Sequence, residues 1–155
     1  MPTSHKISLN LNGNPVEATV ASHTLLIDFL RDGHALHGVK RSCEMQVCGA
    51  CTVLVDGRPV SSCTMLAVDA DAAAVVTIEG LGGPDDLDPV QAAFLEHGAL
   101  QCGFCTPGMI LAAKALLASD PRPKRAEIEH HLNGNICRCT GYQKIIEAVE
   151  SLART

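Results

Sequence analysis

At 155 residues with a net charge of -5, three Phe, one Tyr and no Trp, the chain has neither the basic surface nor the stacking aromatics that nucleic-acid binding needs. No apolar run approaches the roughly 20 residues required to cross a bilayer, and Met1 to Lys6 lead into strand-like alternation rather than an apolar signal core. The expectation is a soluble, cytoplasmic protein of one ordinary domain or two small ones.

Ile7, Leu9 and Leu11 alternate with Lys6, Ser8, Asn10 and Asn12, the period of a strand buried on one face. Asn12-Gly13-Asn14-Pro15 predicts a turn into a second strand with Val16, Ala18 and Val20 on one side. Thr24 is placed to cap a short helix through Arg31, with Leu26, Phe29 and Leu30 on one stripe and Gly33 at its end. After a loop from Cys43 to Cys51 come Thr52-Val53-Leu54-Val55, the turn signal Asp56-Gly57, and a returning strand from Arg58 toward Cys63. Val75 to Ile78 reads as a last strand. This order predicts a mixed sheet wrapped over one helix.

The run Gly80-Leu81-Gly82-Gly83-Pro84-Asp85-Asp86 has linker composition. It predicts a first domain over residues 1–80, a linker over 81–87 and a second domain over 88–155. The second half is helical in pattern. Asp88-Pro89 is an N-cap followed by proline at the first helical position, and Thr106-Pro107 repeats the signature ahead of Met109, Ile110, Ala113, Leu116 and Leu117. A third helix follows Pro123, with Ile128, His131 and Leu132 at helical spacing. Thr140-x-x-Gln143 has the form of a capping box before a stripe of Tyr142, Ile145, Ile146, Val149 and Leu152.

Eight cysteines punctuate these elements in two sets of four, Cys43, Cys48, Cys51, Cys63 and Cys102, Cys105, Cys137, Cys139. The first reads C-x4-C-x2-C with a fourth cysteine after eleven more residues, the plant-type ferredoxin spacing for a 2Fe-2S cluster. The second presents C-x2-C, about thirty residues of helical pattern, and then C-x-C. Two alternatives compete. A disulfide framework fits a reducing compartment poorly, and structural zinc usually pairs two short knuckles rather than these spacings. Two clusters in one small chain suggest an electron relay. The seven histidines stand outside the ligand spacings and read as surface or packing residues.

A four-thiolate cluster is anionic and becomes more so on reduction, so its loops must aim backbone N–H groups at sulfur. Gly49, Gly103 and Gly141 stand among the cysteines where a side chain would obstruct such a loop, whereas Gly108, Gly134 and Gly82-Gly83 read as ordinary turn residues. Helix starts at Thr106 and Thr140 would place positive dipole ends beside Cys105 and Cys139.

The runs Cys48-Gly49-Ala50-Cys51-Thr52, Gln101-Cys102-Gly103-Phe104-Cys105-Thr106-Pro107-Gly108 and Asn135-Ile136-Cys137-Arg138-Cys139-Thr140-Gly141-Tyr142 together resemble the small iron-sulfur subunit of the xanthine oxidase family of molybdenum hydroxylases. The resemblance covers essentially the whole chain. It implies an α+β protein, a plant-ferredoxin-like (β-grasp) N-terminal domain followed by an all-α four-helix bundle, each holding one 2Fe-2S cluster. It implies that Cys102, Cys105, Cys137 and Cys139 hold the cluster proximal to a molybdenum pyranopterin, and that Cys43, Cys48, Cys51 and Cys63 hold the distal one on the way to FAD. Gln101 matches a family position that hydrogen-bonds the molybdenum cofactor. The implied partners are a large molybdenum-cofactor subunit and a medium FAD subunit, with a dimer of heterotrimers among the implied assemblies, and catalysis of substrate lies in the partner. A free-standing 2Fe-2S carrier is the second hypothesis. In one place the chain departs from the family pattern: a loop that is glycine-rich in many members here reads Glu44-Met45-Gln46-Val47.

Overall fold

A computed structural model describes residues 3–153. Two hairpins form as their turn residues require. Strands β1 (Ser4–Leu11) and β2 (Asn14–Ala21) meet at Asn12-Gly13, and β3 (Thr52–Val55) and β4 (Arg58–Ser61) at Asp56-Gly57. All four of these turn residues have φ between 49° and 84°, the positive values that two-residue hairpin turns demand. Strand β5 (Ala74–Val76) pairs parallel to β1 and antiparallel to β3, giving the order β2-β1-β5-β3-β4. The mixed sheet is therefore as expected, although β5 stops at Val76 and Ile78–Gly80 forms a 3-10 turn.

The first helix differs from its sequence pattern. Only α1 (Leu26–Asp28) is regular, and it widens into a π-type segment, Phe29–Gly33. Leu25 rather than Thr24 stands at its start, and no side chain caps it. Thr24 instead offers its carbonyl to the N–H of Ala67. Leu26, Ile27, Phe29 and Leu30 are all buried, and all four join the apolar core formed with Ile7, Leu9, Val53 and Val75 of the sheet.

Helices α2 (Pro89–Glu96), α3 (Thr106–Ser119), α4 (Arg125–Leu132) and α5 (Gln143–Ala153) make up the rest. Asp88 caps α2 as its sequence predicts: its carboxylate accepts from the N–H of Val90 at 3.0 Å while Gln91 Oε1 accepts from the N–H of Asp88 at 2.9 Å. In α3 the cap position belongs to Cys105, with Thr106 and Pro107 inside the helix. Among the described residues no helix is long and apolar enough to cross a membrane.

Two apolar cores result. One joins the sheet to α1 through Ile7, Leu9, Leu26, Leu30, Val53 and Val75, and the other lies among α2–α5 through Phe94, Met109, Ile128, Ile145 and Val149. A third, small cluster of Leu54, Leu111 and Ala115 connects them. Side chains alternate across a strand, so β3 turns Val53 to the first core and Leu54 to α3. This back-to-back contact positions the cysteines, because β3 begins directly after Cys51 and α3 directly after Cys105.

Candidate metal centres

The eight cysteines differ in burial. Cys51 and Cys63 are buried at the open end of the β3–β4 hairpin, one before β3 and one after β4, while Cys43 and Cys48 are half-buried in the preceding loop. Cys137 is buried and Cys105 half-buried, whereas Cys102 and Cys139 lie exposed with their sulfurs 3.6 Å apart. Among the described residues no three His, Cys, Asp or Glu side chains close around a single ion position. The thiols meet in pairs, Cys43 with Cys48, Cys51 with Cys63, Cys105 with Cys137 and Cys102 with Cys139. Two pairs per set match a dinuclear iron centre, in which each iron takes two thiolates.

The electrostatics fit an anionic centre held by backbone donors. The N–H groups of Val47 and Cys48 both point at the Cys43 sulfur from 3.4 Å. Backbone donation from Met45, Cys48 and Val47 pulls the Cys43 thiol down to about 6. At Cys137 burial works against the thiolate, but the Thr140 hydroxyl, 3.1 Å from the sulfur, and the Thr140 N–H at 3.4 Å outweigh it and hold the thiol below its ordinary range. Burial pushes the Cys51 thiol up to about 11, reinforced by the neighbouring Cys63, and pushes Cys105 up to about 12, reinforced by Cys137. Those two sites need a bound cation to ionise, as metal ligation supplies.

The loop Glu44-Met45-Gln46-Val47 keeps its donors despite lacking glycine. Glu44 and Gln46 adopt φ of 56° and 60°, a region that costs a residue with a side chain roughly 1–2 kcal/mol. Each is tied down. Arg41 forms ion pairs with both Glu44 and Asp28, and the hydroxyl of Thr64, next to Cys63, donates to Gln46 Oε1 at 3.1 Å.

Three further residues belong to the site. Helix α5 starts at Gln143, so Thr140 lies ahead of its cap position; the Thr140 hydroxyl oxygen accepts from the N–H of Tyr142 at 3.2 Å and its proton goes to the Cys137 sulfur. The phenol oxygen of Tyr142, read from sequence as a core position, accepts from the N–H of Cys137 at 2.9 Å. Asn135 is buried, 6% exposed, and its carboxamide reaches the first cysteine loop. An Asn in the run Asn133-Gly134-Asn135 carries only a turn signal, so nothing local marks it. Gly108 is likewise no turn residue: it sits in α3, and a Cβ there would come within 2.4 Å of the Gly49 carbonyl. At Gly103 and Gly141 the space expected to be tight is open, and a positive φ is what calls for glycine. His5, His23, His37 and His130 are exposed, whereas the His34 ring meets Phe29 edge-on and His131 bonds the Ala112 carbonyl. Gln101 lies exposed beside Cys102.

Of the six large apolar side chains exposed among the described residues, four sit on the cysteine loops: Met45, Val47, Phe104 and Ile136. The two loops also touch. The N–H of Ile136 donates to the Cys48 carbonyl at 2.8 Å.

A family described as 2Fe-2S iron-sulfur cluster binding domain matches residues 9–76, and one described as 2Fe-2S binding domain matches residues 77–150. The chain is 47% identical to the caffeine dehydrogenase subunit gamma of Pseudomonas sp. (strain CBB1), over 99% of this chain and 93% of that one. It is 48% identical to the nicotinate dehydrogenase small FeS subunit of Eubacterium barkeri, over 92% and 91%. Among solved structures, quinoline 2-oxidoreductase from Pseudomonas putida 86 matches with a TM-score of 0.92 at 45% identity, covering 97% of this chain and 93% of that one. Aldehyde oxidoreductase from Desulfovibrio gigas matches with a TM-score of 0.93 at 41% identity, but the match spans only 17% of that longer chain.

Proposed function

The chain belongs to the small iron-sulfur subunits of the xanthine oxidase family of molybdenum hydroxylases, and from that membership we propose that it relays electrons from a molybdenum-bearing partner, through two 2Fe-2S clusters, to a flavin-bearing partner. In this reading Cys102, Cys105, Cys137 and Cys139 ligate the proximal cluster and Cys43, Cys48, Cys51 and Cys63 the distal one. Gln101 contacts the molybdenum pyranopterin. The division into residues 1–80, a linker over 81–87 and a four-helix bundle over 88–155 assigns one cluster to each half. A free-standing carrier is not favoured, since the matched relatives are named as subunits of larger enzymes.

A 2Fe-2S cluster, when bound, supplies one-electron chemistry whose potential depends on hydrogen bonds to its sulfurs and on exposure. The chain's residues govern both. Backbone donors from 45 to 48 and the hydroxyl of Thr140 stabilise negative charge on Cys43 and Cys137. Exposed Met45, Val47, Phe104 and Ile136 sit on the cysteine loops, and exposed apolar side chains collected there offer partners a docking surface.

The observation that carries the relay is the 2.8 Å bond from Ile136 to the Cys48 carbonyl, which links a ligand of one set to the residue preceding a ligand of the other. The test is made on the complex as purified. The chain should hold about four irons and four acid-labile sulfides, as two such clusters require, and substrate should reduce both. Colourless protein with stoichiometric zinc overturns the reading.

A further inference from the structure

Asn135 stands two residues before Cys137, and its amide nitrogen donates to the Gly49 carbonyl at 3.0 Å and to the Thr52 hydroxyl oxygen at 3.3 Å. Both acceptors flank Cys51. The Gly49 carbonyl also accepts from the Thr52 hydroxyl at 2.8 Å and from the Thr52 N–H at 3.1 Å, so three donors hold one peptide in place. Its surroundings leave little slack. A Cβ on Gly49 would lie 2.4 Å from the Gly134 carbonyl and 2.5 Å from the Asn135 amide, and a Cβ on Gly108 would lie 2.4 Å from the Gly49 carbonyl.

We propose that Asn135 is a positioning residue that sets the electronic coupling between the two clusters, by clamping the segment carrying Cys48 and Cys51 against the segment carrying Cys137. The inference rests on the two-cluster relay above. Electron tunnelling falls steeply with separation and with each break in a bonded path. The path on this chain is the Ile136 to Cys48 hydrogen bond, one residue from the clamp. The Asn135 carboxamide contacts no cysteine sulfur through the bonds described; its partners are a carbonyl and a hydroxyl of the other loop. It therefore acts on the distance between ligand sets and leaves each set's composition intact.

The experiment uses the full chain in its complex, with Asn135→Ala and Asn135→Asp, the latter keeping the size but turning an acceptor toward the Gly49 carbonyl. Iron and sulfide content, the paramagnetic signal of each reduced cluster, the spin-spin splitting between them and the rate of electron equilibration after pulsed reduction are measured. Content and separate signals should persist, while the splitting shrinks and equilibration slows several-fold. Thr52→Val, which removes one acceptor of the carboxamide, should shift both readouts the same way and by less. Unchanged splitting and rate in Asn135→Ala overturn the proposal. If neither Asn135 variant accumulates, unchanged values in Thr52→Val overturn it. Wild-type protein that lacks two separate 2Fe-2S signals would instead defeat the relay itself.

Discussion

The peptide N–H of Ile136 lies 2.8 Å from the carbonyl oxygen of Cys48, so two cysteine loops far apart in sequence share a direct hydrogen bond. Each ligand set nevertheless belongs to its own core. Cys51 and Cys63 pack with the sheet, and Cys137 packs among α2–α5. Cys63→Ser should therefore remove only the distal paramagnetic signal and Cys137→Ser only the proximal one, each variant retaining about half the iron of a two-cluster chain. Loss of both signals in either variant contradicts the assignment of ligands.

Gly108 sits where a methyl group would meet the Gly49 carbonyl at 2.4 Å, whereas Gly134 faces open space. Backbone cannot yield as a flexible side chain can. Gly108→Ala should destabilise by about 1–3 kcal/mol through overpacking, and Gly134→Ala should stay within about 0.5 kcal/mol of wild type. Thermal unfolding of the two variants side by side checks the contrast.

Gln46 holds a φ of 60°. Gln46→Gly relieves that strain but loses the bond from Thr64, so its stability should lie within about 1 kcal/mol of wild type. A β-branched residue is a genuine outlier in this region. Gln46→Val should unfold at lower temperature than both, with weakened retention of distal iron during dialysis against a chelator.

The Thr140 hydroxyl donates to the Cys137 sulfur at 3.1 Å. Hydrogen bonds to cluster sulfurs favour the more negative, reduced state, so Thr140→Val should lower the midpoint potential of the proximal cluster and leave the distal one unmoved. Thr140→Ser, which keeps the hydroxyl, should restore it. Redox titration followed by paramagnetic resonance distinguishes the two clusters.

Gln101 tests the direction of flow. Gln101→Ala should leave both clusters assembled and reducible by dithionite, while removing a polar contact worth on the order of 1–3 kcal/mol at the cofactor. Stopped-flow mixing of the complex with substrate should show slower cluster reduction, or the complex should carry less molybdenum. If both remain at wild-type level, Gln101 does not face the cofactor.

Local signals in the chain determined a good deal. The alternation of Ile7, Leu9 and Leu11, the Asn12-Gly13 and Asp56-Gly57 turns and the Asp88-Pro89 cap are legible without coordinates, because each depends on interactions spanning a few residues, and the division of eight cysteines into two sets is legible from their spacing. Where a local pattern had a competing tertiary use, the pattern misled. Thr140 has the spacing of a helix cap, yet its hydroxyl is shared between the Tyr142 N–H and the Cys137 sulfur. Leu26 to Leu30 suggest an α-helix through Arg31, yet the segment becomes π-type from Phe29. Gly108 and Asn135 gain their meaning only once β3 and α3 pack back to back through Leu54 and Leu111. That docking decides which carbonyl faces which amide across 86 residues, and no periodicity of hydrophobic or turn residues encodes a contact between two cores.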